Sequence, residues 1–109
     1  MPLAPYRIMW LFAMFDLPVD DKDRRREYSQ FRKFLLKKGF TMMQFSVYAK
    51  HLESEDATET LQSQLQKVIP PFGQVRLLAV TDRQFGKMIV FWGKKRKPVE
   101  DPPVQISLF

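Results

Sequence analysis

Seven apolar residues, Met9 to Phe15, run directly into an aspartate in the stretch MWLFAMFDLP. A carboxylate is costly to bury and is normally paired or hydrated, so Asp16 at the end of a strand-like run asks for a partner. Two readings fit it. Asp before Leu17-Pro18 is a good turn initiator. It is also a ligand for a hard cation: Mg²⁺ prefers carboxylate oxygen, keeps several waters and needs only one or two protein carboxylates. One aspartate is a thin site. Two copies related by a two-fold axis would supply two, and carboxylates at such range repel unless a cation joins them. Asp20 and Asp21 lie close by but belong to a helix start, and Asp82 reads first as a turn residue before Arg83. His51 is the single histidine and there is no cysteine, which removes zinc ribbons, thiol nucleophiles and histidine-rich metal sites. His51 itself reads as a surface residue near a strand end.

The second chemical signal is positive charge. The 109 residues carry a net charge of +6, which favours an anionic partner, nucleic acid being the commonest. Eight of the 18 Lys and Arg lie between Lys22 and Lys38, and four more form the run Lys94, Lys95, Arg96, Lys97. At ~100° per residue, Lys22, Arg25, Arg26, Arg32, Lys33 and Lys37 share the outer face of one helix. That stripe reads as free of acids placed for i,i+4 pairing, so it either lies in solvent or meets phosphates. No base-reading motif accompanies it, so binding should be sequence-independent and sensitive to salt.

These groups need elements to hold them. Residues 7–15 read as a buried strand, with far fewer apolar residues than the ~18 that span a bilayer, so no membrane is expected and a cytoplasmic location is. A helix over roughly 20–38 follows, with Asp20 as N-cap, Asp23 three residues on, and Gly39 in the left-handed position after it. Tyr28, Phe31, Phe34 and Leu35 form its apolar face. Phe40 to Leu52 is extended, as one long strand or two broken near Gln44. A second helix covers roughly 56–69, capped by Asp56 with Glu59 and ended by Pro70-Pro71. Residues 73–81 and 87–93 read as strands joined by DRQFG. A basic run and a proline-rich link then lead to VQISLF, Val104 to Phe109. The order is α+β; with the middle segment split it is a ferredoxin-like βαββαβ plan plus an additional C-terminal strand. A domain over 1–93 and a basic, proline-rich tail over 94–109 are expected. Two helices on one sheet face leave the other open, and an apolar first strand implies that something covers it, most simply a second copy.

The order of these features resembles the CRISPR-associated protein 2 family. The resemblance is carried by the strand ending in Asp16, the basic helix, Gly39-Phe40, then Gln44, Ser46, Val47 and Tyr48, and later TDRQFGKMIVFWG, Thr81 to Gly93. It covers about residues 6–93. It implies a ferredoxin-like homodimer in which Asp16 of each protomer faces its twin. It also implies two roles: Mg²⁺-dependent cleavage of RNA or DNA with Asp16 as catalytic metal ligand, and a scaffold that bridges the CRISPR integrase subunit and holds a short DNA duplex during spacer acquisition. Single-stranded RNA is a further expected partner. The rival reading is a ferredoxin-like RNA-binding or regulatory module without nuclease activity, which would stack bases on exposed aromatics of the open face. The terminal QISLF suits either strand addition or, by its likeness to short clamp-binding peptides, docking on the sliding clamp.

Overall fold

The computed structural model describes residues 7–100. Its elements are β1 (Met9–Asp16), α1 (Lys22–Lys37), β2 (Thr41–Gln44), β3 (Val47–Leu52), α2 (Glu55–Gln66), β4 (Gln74–Thr81), α3 (Asp82–Gly86), β5 (Val90–Trp92) and β6 (Lys95–Lys97). The first four strands form one sheet in the order β2-β3-β1-β4, and every neighbouring pair is antiparallel. This is the ferredoxin-like arrangement expected from the βαββαβ order. The extended middle segment is two strands. Ser46 adopts φ 62° in the tight turn between them, and Ser46 O accepts the Phe15 N–H at 3.1 Å, tying that turn to the end of β1.

The alternation of β1 divides the protein into two layers of contact. Met9, Leu11, Ala13 and Phe15 point toward the helices and join Phe31, Leu35, Tyr48, Leu61 and Leu65 in the main core. Leu11, Leu35 and Leu65 are fully buried, each worth roughly 1.5–3 kcal/mol of transfer free energy. Trp10, Phe12, Met14 and Asp16 point to the opposite face. There, on the face expected to be covered by a second copy, the chain covers part of its own sheet. DRQFG is not a plain connection but the one-turn helix α3, started by a capping box in which Thr81 and Gln84 each bond the other's backbone N–H. It carries Phe85 onto Trp10, the two rings stacked at 3.9 Å, and Trp10, Ala49 and Phe85 form a second small core.

Other boundaries move for local reasons. Asp21, not Asp20, caps α1: its carboxylate accepts the Arg24 N–H at 2.8 Å. Ser54, not Asp56, caps α2, which ends at Gln66 before the two prolines. Gly39 has φ +95° just past α1, as expected. The strand expected over 87–93 shortens to Val90–Trp92, because the Lys87 and Met88 N–H groups bond back to Gln84 O and Phe85 O at the end of α3. Within the basic run, Lys95–Lys97 pair with β5 as an antiparallel hairpin. Val104 to Phe109, the expected extra strand or docking peptide, lie outside the described residues.

Candidate functional site

Asp16 occupies the last position of β1, opposite Gln74 of β4, and is exposed. Leu17 turns back into the core, so the chain leaves the sheet immediately after the carboxylate. The approach of β4 is as tight as a backbone allows. Gly73 has φ +87°, and a Cβ there would stand 2.5 Å from Asp16 O, so only glycine lets the two strands meet at this point. Asp16, Pro18, Gly73 and Gln74 line an open concavity of about 370 Å³. Met14, Phe15, Asp16, Gln74 and Arg76 line a second of about 220 Å³ on the sheet face. The Asp16 carboxylate makes no ion pair with any described residue.

Oxygen donors of this kind suit a hydrated hard cation rather than a transition metal. Among the described residues no three His, Cys, Asp or Glu side chains come together. Among the described residues one chain therefore offers one carboxylate here, with Gln74 opposite it on β4, so the residues fit a cation held largely by water.

The other acids have structural work. Asp82 accepts the Trp10 indole N–H at 2.7 Å, which ties the start of α3 to the sheet; it is the first residue of that helix rather than a turn residue. His51 is not a surface residue: its side chain is 2% exposed, with Nε2 3.9 Å from Asp82 Oδ1. Its ring meets Trp10 edge-on at 5.0 Å, and neither ring nitrogen has a hydrogen-bond partner. Burial holds the imidazole below its ordinary pKa, against the opposing pull of Asp82, so it is neutral at pH 7.

The basic residues sort by what they touch. Lys22, Lys33 and Lys37 of α1 are exposed. Arg25 is exposed and donates to Val19 O at 3.3 Å. The stripe is not free of acids, however. Asp23 pairs with Arg26 at 2.7 Å, at i,i+3 spacing. Arg32 lies at the border of the face, where Nε donates to the buried Tyr48 hydroxyl at 2.7 Å; it satisfies a core phenol. Lys94, Lys95, Arg96 and Lys97 are exposed on the β5–β6 hairpin, with Lys97 Nζ 5.2 Å over the Trp92 ring. Arg76 also stands on the sheet face that carries Asp16 and is exposed. Its signal was the alternation Gln74, Arg76, Leu78, Val80, which places it on the Asp16 face once β4 is registered against β1.

Comparison with known proteins agrees with this geometry. The family model described as CRISPR associated protein Cas2 matches residues 9–88. A Parvibaculum lavamentivorans protein named CRISPR-associated endoribonuclease Cas2 is 48% identical over 101 residues, covering 93% of this chain and 100% of the relative. Proteins of the same name from Paracidovorax avenae and Flavobacterium psychrophilum are 41% and 37% identical, each over 98% of this chain and over 99% and 93% of their own lengths. A solved structure described as the crystal structure of cas2 aligns with a TM-score of 0.54 at 22% identity, over 86% of this chain and 97% of that one, which shows the shared fold. With most of its length matched by the family model and by relatives of the same size, this chain belongs to the CRISPR-associated Cas2 family.

Proposed function

We propose that the chain is a Mg²⁺-dependent endoribonuclease that also serves CRISPR adaptation as a homodimer, bridging the integrase subunit and holding duplex DNA. The observation that carries the nuclease reading is an exposed, unpaired Asp16 at the end of β1, on the sheet face that the two long helices leave uncovered. The names of the relatives, CRISPR-associated endoribonuclease Cas2, point the same way. For the dimer, the support is apolar surface that one chain does not cover: Leu78 next to the site, and Ile89, Phe91 and Trp92 on and before the hairpin, are all about half exposed or more. Two chains joined through this face would bring their Asp16 side chains to one place.

In that arrangement Asp16 and its twin would hold the ion, and Mg²⁺ when bound would polarise a phosphoryl oxygen and lower the pKa of a water. The chain does the rest. Gly73 lets the chain entering β4 pass against the Asp16 backbone, which holds the carboxylate at the strand end. The cations of α1 and of the hairpin hold the backbone without reading bases. The rival reading, base stacking on an open aromatic sheet, is disfavoured because Trp10 lies under Phe85 and only 4% of it is exposed.

The test is cleavage of a labelled RNA with Mg²⁺ and with excess EDTA. Product should form with the ion and stop on its removal; no product at any Mg²⁺ concentration would leave only the scaffold role. For the duplex surface, Lys33 and Lys37 are the informative pair, since Arg32 has a structural bond to lose. Lys33→Glu with Lys37→Glu should weaken binding of a short DNA duplex about tenfold or more and reduce the slope of log K against log salt by about two. Binding titrations at several salt concentrations measure both, and an unchanged slope would remove this face of α1 from the interface.

A further inference from the structure

The sheet face around Asp16 is apolar apart from its last rungs. Phe12 pairs with Leu78, Met14 with Arg76, and Asp16 with Gln74. Arg76 thus stands one rung in from Asp16 on the same face, at the diagonal position where Cα atoms lie ~7–8 Å apart. Both side chains line the 220 Å³ concavity with Met14 and Gln74. Arg76 is exposed and forms neither an ion pair nor a side-chain hydrogen bond with any described residue. Arg24 and Arg26, by contrast, are each held by an acid three residues away. A guanidinium set among Met14 and Leu78, a rung from a cation-binding carboxylate, offers a planar fork of donors that matches two oxygens of one phosphate.

We propose that Arg76 is a phosphate-contacting residue of the cleavage reaction, gripping non-bridging oxygens of the phosphodiester whose other side faces Asp16. This rests on the reading of Asp16 as the metal ligand. The two groups divide the work. Asp16 would supply negative charge for the ion, and Arg76 supplies positive charge for the non-bridging oxygens as a water oxygen bonds to phosphorus and gives its proton to solvent, while the P–O bond to the leaving oxygen breaks and that oxygen takes up a proton.

The experiment uses the full chain with Arg76→Gln, Arg76→Lys and Asp16→Asn. It measures kcat and KM on a short RNA with Mg²⁺, affinity for the same RNA in EDTA, and native mass. Arg76→Gln should lower kcat/KM about 10²-fold, and Arg76→Lys should recover part of that through charge without the fork. In EDTA, Arg76→Gln should weaken RNA binding several-fold and reduce the salt slope by about one, whereas Asp16→Asn should leave that binding intact. If the wild-type chain does not cleave, the metal reading fails and the EDTA affinities alone judge Arg76. Wild-type affinity and slope in Arg76→Gln would overturn the proposal. So would a fall in native mass in Arg76→Gln, which would make Arg76 a contact between copies of the chain.

Discussion

Asp16→Asn should abolish Mg²⁺-dependent RNA cleavage to within about 1% of the wild-type rate while leaving the fold intact. The substitution keeps size and polarity and removes the one charge that an ion at this site requires. A hundredfold loss corresponds to ~2.7 kcal/mol of transition-state stabilisation, a modest demand on a metal-activated reaction. Stability should change by no more than about 0.5 kcal/mol, because the carboxylate is exposed and has no ion pair to lose. In the proposed dimer two facing aspartates would repel in the absence of metal, so removing both charges should leave that dimer as stable or more so. The cleavage rate, a thermal melt and a native mass decide the matter together. A variant that still cleaves at the wild-type rate would clear Asp16 of any metal role, whereas one that loses cleavage and duplex binding together would point to general disruption instead.

This prediction rests on a residue that was legible in the sequence, and the reason is physical. A run of seven apolar residues can be a strand covered on both faces, and a charge at its end is conspicuous whatever the tertiary structure. The cap of α1 was legible only to within one residue, since Asp20 and Asp21 are both good N-caps and the backbone chooses between them. Ser54 was hidden behind the more obvious Asp56. The hidden features depend on partners distant in sequence. DRQFG is too short to show a helical period; the Thr81–Gln84 capping box is its one local signal, and α3 is held on the sheet because Phe85 stacks on Trp10 and Asp82 accepts its indole N–H. His51 looked exposed on the same local grounds and is buried for the same non-local one. Arg32 looked like its basic neighbours until the turn of α1 set it against Tyr48. Arg76 has no meaning until β4 is registered against β1. Periodicity thus located the elements and one acid. Pairing across the sheet decided which charges stand together and which are already occupied.

Trp10 shows how strongly that non-local layer should matter. Trp10→Ala is expected to destabilise the chain by about 3–5 kcal/mol, the range for removing a large buried aromatic, against a total of roughly 5–15 kcal/mol for a domain of ordinary stability. Three contacts go at once: the stack on Phe85, the edge contact with His51, and the hydrogen bond to Asp82. Trp10→Phe keeps an aromatic surface for Phe85 but not the N–H, and should cost less, about 1–3 kcal/mol. His51 supplies an independent readout. Burial holds its folded pKa below the ordinary value of ~6.5, so the unfolded chain binds the proton more readily. Stability from this group is then full above ~pH 6.5 and is lost as pH falls from there toward the lowered folded pKa. Opening the cavity with Trp10→Ala admits water, relaxes that pKa upward and flattens the acid slope. Urea unfolding of the three proteins at pH 7.5 and pH 5.5 tests both effects. A loss below 1 kcal/mol in Trp10→Ala, with the acid slope unchanged, would mean that α3 stays on the sheet without the indole and that His51 is kept dry by other residues.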